Sequence, residues 1–188
     1  MDVVLGVSNR HVHLCERDFK ILFGDDSKLE VVKELVQPGE FASNCFVTIK
    51  TAKSEFEKVR VLGPIRSYTQ VEVSKTDAFK LGINPPVRDS GDLSGSDAVT
   101  LIGPNGSIDL NEGCIIATRH IHITPEQMVE FGYDGMKSVS VELPGPKGGV
   151  LYNVQFKVSP NYAFEMHIDT DDANAHMVKT GDIARIIK

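Results

Sequence analysis

Short runs in which apolar and polar residues alternate recur along the chain, and this period-two pattern is typical of strands with one buried face. It predicts strands at 3–8, 46–50, 56–62, 69–74, 99–102, 107–110, 114–118, 138–143, 150–158, 163–168 and 183–187. Short helices are predicted at 76–81 and 171–179, while 24–44 and 84–92 carry turn-forming residues and are expected to be irregular. Many short strands with only small helices indicate a mainly β protein of two small β-barrels with short capping helices.

The two halves of the chain repeat one another. The block Arg-His-x-His stands at residues 10–13 and again at 119–122, and each copy leads into a segment that ends in Phe-Gly. Both segments are expected to be short helices with glycine as a left-handed C-cap. The second has the clearer start, with Thr124 as N-cap, Pro125 at the first helical position and Gln127 closing a capping box. Further along, 71–78 aligns with 166–173, so the halves are pseudo-repeats.

This repeat predicts two metal sites. Alternate residues of a strand point to one face, so each His-x-His pair can direct two imidazoles at one ion. The alignment places Glu72 opposite His167, which gives each half a third candidate ligand. Taken singly, His167 would be a core histidine and Glu72 a solvated strand residue, but their matched positions favour ligands. Three protein ligands and an open position are typical of catalytic zinc; the predicted sets are His11, His13 and Glu72, and His120, His122 and His167.

Composition narrows the class of protein. The 188 residues can form one large or two small domains, and 41% hydrophobic with 24% charged residues is ordinary for a soluble globular protein. A net charge of −6 argues against nucleic-acid binding but permits a local basic pocket for a small anion. No apolar run reaches the roughly 18 residues of a membrane span, and no signal peptide is expected. The odd number of cysteines (Cys15, Cys45 and Cys114), without a CxxC pair, favours a reducing interior.

The motifs resemble those of the PduL-type phosphate propanoyltransferases, the phosphotransacylases of bacterial microcompartments. The resemblance covers nearly the whole chain in order, and its matching stretches are VSNRHVHL at 7–14, QPGEFA at 37–42, VRVLGP at 59–64, TQVEVS at 69–74, PPVRDSGD at 85–92, RHIH at 119–122 and EMHIDTD at 165–171.

The resemblance implies two β-barrels, with the N-terminal strand exchanged into the barrel of the C-terminal half. Residues 10–117 would then form one barrel, and 1–9 with 118–188 the other. It implies interconversion of acyl-CoA (propanoyl-CoA or acetyl-CoA) plus phosphate with acyl phosphate plus CoA, at a two-metal, usually zinc, site. The family's metal ligands fall on the six residues that the repeat predicts. Its phosphate-binding catalytic arginine falls on Arg66, and its coenzyme A surface falls near Phe79, Arg88 and Ser90.

The expected partners are small molecules, acyl-CoA and phosphate, rather than nucleic acid or membrane. Microcompartment members often carry an N-terminal amphipathic encapsulation helix, which this sequence lacks, so the expected location is either the cytoplasm or a microcompartment among its lumen proteins. A homodimer is one option for the oligomeric state.

Several alternatives stay open on the residues alone. The same six ligands would suit a dinuclear zinc hydrolase, either a thioesterase or a phosphatase, and a metal-stabilised module without catalysis is a further rival. Arg66 could be an ordinary surface arginine. Arg10 and Arg119 could assist phosphate or CoA, or could pair with carboxylates. Cys15 aligns with Thr124 and is therefore interpreted as a helix-start residue rather than a nucleophile.

Overall fold

A computed structural model describes residues 1–187 of the chain. The strands of this part are β1 Asp2–Ser8, β2 His11–His13, β3 Val31–Glu34, β4 Phe41–Lys50, β5 Glu55–Gly63, β6 Gln70–Glu72, β7 Val87–Arg88, β8 Asp97–Ile102, β9 Ser107–Ala117, β10 His120–Ile123, β11 Ser138–Leu143, β12 Gly149–Val158, β13 Glu165–Asp169 and β14 Ile183–Ile187. The helices are α1 Glu16–Phe23, α2 Lys75–Leu81, α3 Pro125–Glu130 and α4 Thr170–His176.

The chain divides into two compact units. Barrel A comprises Arg10–Leu35 and Gly39–Ala117. Barrel B comprises Met1–Asn9, Val36–Pro38 and the residues from Thr118 onward. Residues 36–38 thus belong to barrel B, although in the sequence they lie between the two segments of barrel A.

Barrel B is a closed sheet with the strand order β1-β13-β10-β12-β11-β14. β1 lies parallel to β13, with Leu5 opposite Met166, and antiparallel to β14, with Val3 opposite Ala184. The exchange of the N-terminal strand into this barrel is therefore confirmed. Its inward side chains, including Leu5, pack into one apolar core that removes the alternate residues of each strand from water.

Barrel A closes through six strands in the order β4-β5-β2-β6-β9-β8, because β8 pairs with both β9 and β4. Two short strands extend this sheet, β3 beside β4 and β7 beside β9. Its core is separate from that of barrel B and includes Val12, Leu14, Val61 and Val71.

The two barrels have the same topology. β2 is antiparallel to β6 and parallel to β5 in barrel A, as β10 is antiparallel to β13 and parallel to β12 in barrel B. β6 lies parallel to β9, as β13 lies parallel to β1. In sequence, β1 comes just before β2, and β9 comes just before β10. Each of these preceding strands belongs to the other barrel, since β1 completes barrel B and β9 completes barrel A. The predicted fold class, two small barrels with pseudo-repeated halves, is confirmed.

The helices are short and sit at matching points of the repeat. α2 begins with a capping box between Ser74 and Asp77, and α3 begins with the predicted box between Thr124 and Gln127. Gly132 after α3 has the expected left-handed φ of +71°, whereas Gly24 after α1 combines φ +95° with an extended ψ of 158°. None of the helices in the described part is long and apolar enough to cross a membrane.

Two predictions of irregular structure were wrong. Residues 31–34 form β3 and pair with 41–43 of β4, and Val87–Arg88 form β7 against β9. All four residues of β3 are exposed, so this edge strand lacks the alternation by which strands are recognised. β9 is also one strand where two were predicted, since pairing continues past Gly113 at φ +139°.

We predict that Leu5→Ala destabilises the protein by about 2–5 kcal/mol, because it deletes a fully buried side chain from the core of barrel B. The free energy of unfolding is measured by urea titration of the metal-free protein. Val4→Ala, on the exposed face of the same strand, is the matched control and should cost about 0.5 kcal/mol or less. Equal losses for the two variants would contradict the inward packing of β1 in solution.

Candidate functional site

Each His-x-His motif lies on a strand held between two neighbours. In β2 the middle residue, Val12, is fully buried in the apolar core, and the two histidines therefore point to the opposite side. The His11 and His13 rings meet edge to face with their centroids 5.0 Å apart. In β10 the His120 and His122 rings repeat this arrangement at 4.6 Å.

Glu72 completes the histidine pair of barrel A. The register of β2 with β6 places Glu72 directly opposite His11. Its carboxylate oxygens lie 3.5 Å from His11 Nε2 and 3.9 Å from His13 Nε2. The side chain of Glu72 is only 14% exposed, so the predicted solvated alternative does not describe it. One ligand atom from each of the three residues lies within 4.8 Å of the others.

His167 stands at the equivalent position in barrel B. The register of β10 with β13 places it opposite His120. Its ring centroid is 5.3 Å from that of His120 and 4.7 Å from that of His122, and the ligand atoms of the three again lie within 4.8 Å of one another. Tyr162 covers His122 at 4.4 Å between ring centroids. The structure thus brings each predicted triad together within its own barrel.

The donor set of barrel A fits a zinc ion. Tetrahedral zinc with bonds of about 2.0–2.1 Å separates its ligand atoms by roughly 3.4 Å, and the 3.5 and 3.9 Å contacts of Glu72 are close to that spacing. Burial lowers the pKa of His13 well below its ordinary value, and the nearby His11 and Arg66 lower it further, against the opposing effect of Glu72. The neutral imidazole that results is the form that binds metal.

The donor set of barrel B fits as well, because its rings are held in defined orientations. His120 Nδ1 lies 2.7 Å from the carbonyl oxygen of Thr118. A carbonyl can only accept, so Nδ1 carries the proton and Nε2 keeps its lone pair for an ion. Hydrogen bonds of this kind behind a metal-binding histidine fix its tautomer and orientation.

Arg66 lies beside the triad of barrel A. Its side chain is 21% exposed, and its Nη2 donates to Glu40 Oε1 at 2.9 Å. Its Nη1 reaches Ser90 Oγ at 3.2 Å and the Tyr68 hydroxyl at 3.4 Å. The backbone N–H of Arg66 also donates to the Leu14 carbonyl, just beyond the histidine strand. These contacts hold the guanidinium in place while leaving part of it open.

Ser90 and Gln70 link Arg66 to Glu72, a predicted metal ligand. The buried Gln70 side chain donates from Nε2 to both Ser90 Oγ, at 2.9 Å, and Glu72 Oε1, at 2.6 Å. Its Oε1 accepts from the Gly91 N–H at 2.8 Å, which anchors the 89–92 turn. Of the residues predicted to bind substrate, Arg66 and Ser90 thus belong to the hydrogen-bonded surroundings of Glu72.

Phe79 and Arg88 have different surroundings. Phe79 lies on α2 with 77% of its surface exposed, and the Lys53 ammonium sits 4.9 Å above its ring. Arg88 pairs with Asp92 at 3.4 Å in the same segment as Ser90. Both side chains present surface to the solvent.

Arg10 and Arg119 pair with carboxylates. Arg10 Nη2 lies 2.6 Å from Asp77, and its guanidinium stacks on Phe56 at 4.2 Å. Arg119 Nη1 lies 3.4 Å from Asp172 at the equivalent point of the repeat. Both aspartates lie in the first turn of the helix that follows the third predicted ligand. Each arginine therefore connects its histidine strand to that helix through an ion pair.

Sequence reasoning missed three polar residues around the triads: Glu40, Gln70 and Glu165. The last two occupy one repeat position, two residues before the third ligand and directly across from the second histidine. When the alignment of 71–78 with 166–173 is extended by one residue toward the N-terminus, it pairs Gln70 with Glu165. That extension was the available signal, whereas nothing local to Glu40 indicates its contact with Arg66.

The buried polar clusters, with a guanidinium beside one of them, favour an enzyme that acts on an anionic substrate. A family model described as phosphate propanoyltransferase matches residues 4–179. Since this match spans most of the chain, the protein belongs to the phosphate propanoyltransferase family, whose members are acyltransferases.

Similar proteins support this assignment over most of their length. The phosphate propanoyltransferase of Thermotoga maritima is 48% identical over 187 residues, which cover 99% of this chain and 89% of that protein. The phosphate propanoyltransferase of Priestia megaterium is 51% identical over 180 residues, covering 96% and 83%. That of Rhodopseudomonas palustris is 47% identical over 186 residues, covering 99% and 82%.

Proposed function

We propose that this protein transfers an acyl group between coenzyme A and phosphate, with propanoyl-CoA or acetyl-CoA as the acyl donor, and that each barrel holds one zinc ion. The ligands are His11, His13 and Glu72 in barrel A, and His120, His122 and His167 in barrel B. We extend the proposal to a homodimer, and the family resemblance extends it to work in the cytoplasm or among the lumen proteins of a microcompartment.

The duplicated ligand geometry carries this proposal. Both triads arise from one strand register, with the third ligand opposite the first histidine, and both offer three donors. Three donors leave a coordination position open, as catalytic zinc requires. A site that served only to stabilise the fold would more often be closed by a fourth protein ligand.

Arg66 is proposed to bind phosphate. A guanidinium can donate two parallel hydrogen bonds to phosphate oxygens, and Arg66 has open surface on which to do so. Phosphate would replace the Glu40 carboxylate as the partner of Nη2, while Ser90 and Tyr68 keep the plane of the guanidinium oriented. Holding phosphate in place for attack converts a bimolecular step into one between positioned groups.

In the proposed reaction a phosphate oxygen attacks the thioester carbonyl carbon. The new C–O bond forms, the C–S bond breaks, and the proton of hydrogen phosphate passes to the departing thiolate, giving acyl phosphate and CoA. Bound zinc would supply a Lewis acid for the oxygen and sulfur atoms that gain negative charge. Arg66 would stay paired with the phosphoryl oxygens throughout, which favours attack from one direction.

The coenzyme A portion is proposed to lie on the surface formed by α2 and the 87–90 segment. Phe79 is an exposed aromatic residue, which suits stacking against an adenine ring better than packing in a core. Arg88 and Lys53 bring positive charge to this surface, which suits the phosphates of coenzyme A. Ser90 lies at the inner end of the same segment, next to Arg66.

The test is CoA release from propanoyl-CoA, measured with and without phosphate and before and after chelation. Release that needs phosphate, yields propanoyl phosphate and stops on chelation is the expected result. Release of free acid without phosphate would replace the proposal with a thioesterase. An absence of release from zinc-loaded protein, with either acyl-CoA, would overturn catalysis and leave a metal-stabilised module.

Arg66→Ala is expected to lower kcat/KM for phosphate by about 100-fold or more, because the variant loses a charged donor to the reacting group. Zinc content, measured by elemental analysis, should stay at two per chain. Arg185→Ala removes a largely exposed arginine paired with Asp2 and serves as the matched control with unchanged kinetics. Loss of zinc in the Arg66 variant would show that this arginine supports the triad rather than phosphate.

His167→Ala is expected to reduce zinc from two ions to one per chain, because the ion of barrel B loses one of three protein ligands. His176→Ala is the control, since this histidine contacts the Lys147 carbonyl, away from both triads. The control variant should keep two ions per chain. Retention of both ions by the His167 variant would contradict the ligand assignment.

A further inference from the structure

Glu165 is a buried carboxylate next to the triad of barrel B, and it is not one of the six proposed ligands. Its side chain is only 4% exposed. It lies on β13 directly across from His122 and two residues before His167. A carboxyl group so deeply buried needs hydrogen-bond partners to offset the loss of water.

His167 is the first of these partners. Its Nε2 lies 2.7 Å from Glu165 Oε2, a distance typical of a charge-assisted hydrogen bond. The carboxylate oxygen accepts, so Nε2 carries a proton and Nδ1 is the nitrogen available to an ion. Carboxylates often stand behind metal-binding histidines in this way, fixing the tautomer and strengthening the ligand.

Gln37 fixes the carboxylate in turn. Its Nε2 donates to Glu165 Oε2 at 3.2 Å and to the Ala163 carbonyl at 3.0 Å, while its Oε1 accepts from the Ala163 N–H at 3.2 Å. The amide orientation is therefore determined by a backbone donor and acceptor. These contacts also account for the grouping of residues 36–38 with barrel B.

The exchanged strand leaves room for this arrangement at Gly6. A Cβ atom at Gly6 would lie 2.9 Å from Glu165 Oε1 and 2.9 Å from His167 Cδ2, closer than real contacts allow. The lack of a side chain at Gly6 thus lets β1 lie close to the Glu165 carboxylate and the His167 ring.

Barrel A has a matching residue with the opposite hydrogen-bonding role. Gln70 occupies the position of Glu165, across from His13, and its amide donates to the ligand Glu72 at 2.6 Å. A donor suits a carboxylate ligand, and an acceptor suits an imidazole ligand. Each barrel consequently places one carboxylate at its triad, as a ligand in barrel A and behind a ligand in barrel B.

We propose that Glu165 is a positioning residue for the metal site of barrel B. It holds His167 with the proton on Nε2, directs Nδ1 to the ion, and supplies the negative charge that Glu72 supplies in barrel A. This inference rests on the proposed function, since it requires zinc at the triad.

The experiment measures the zinc affinity of both sites by competition with a chromophoric chelator, in wild type and in Glu165→Gln. The variant keeps the shape of the side chain and removes its charge. We expect one site to weaken by about 10–100-fold and the other to be unchanged. Glu142→Gln, which removes an exposed carboxylate from the same barrel, should keep both affinities.

A purely structural role for Glu165 gives a different result. In that case Glu165→Gln would lower the free energy of unfolding of the metal-free protein and leave both zinc affinities at their wild-type values, which would overturn the inference while the proposed metal sites stand. Wild-type protein that binds no zinc would instead overturn the metal sites themselves.

A second measurement does not depend on how the variant folds. Long-range 1H–15N spectra of the metal-free wild type at about pH 8 report the tautomer of each histidine, and His167 is assigned by the signal missing from His167→Ala. A proton on Nε2 alone is expected. A proton on Nδ1, or on both nitrogens, would overturn the inference.

Discussion

The cross-strand register of each histidine strand is the constraint on which the candidate site depends. His11 opposite Glu72 and His120 opposite His167 are pairs that are distant in sequence and adjacent only because β2 lies beside β6 and β10 beside β13. A shift of one residue would turn the third ligand to the other face of its strand and bring an apolar residue to the triad. The buried residues between the paired histidines, Val12 and Ile121, oppose such a shift, because it would expose them.

Burying polar groups at these positions is costly, and the fold offsets the cost by pairing them. Gln70 is fully buried, yet its amide nitrogen and oxygen all have partners in Ser90, Glu72 and Gly91. Asp77 accepts from Arg10 and closes a helix cap. The same contacts that satisfy these groups also orient them, so stability and the geometry of the site have a common origin.

The two barrels share one topology. The side chains next to the triads differ because the third residue of the triad is a glutamate in barrel A and a histidine in barrel B. The proposed carboxylate ligand of barrel A is contacted by an amide, and the proposed imidazole ligand of barrel B is contacted by a carboxylate. In barrel A the same hydrogen-bonded chain also includes the Arg66 guanidinium. A repeated scaffold therefore gives two side-chain clusters of similar geometry and different hydrogen bonding.

The sequence by itself determined the repeat, most strands, the start of α3 and the residues of both triads, because these depend on local periodicity, capping chemistry and matched spacing. It also determined the family, through motifs that run the length of the chain. Only the tertiary structure decided which hydrogen bonds surround the triads. Gln37 and Glu165 are far apart in sequence, and Arg66 and Glu40 meet through barrel pairing, so no local pattern predicts either contact. The edge strand β3 also depended on the fold, since its exposed residues have no buried face, and its pairing with β4 alone makes it a strand.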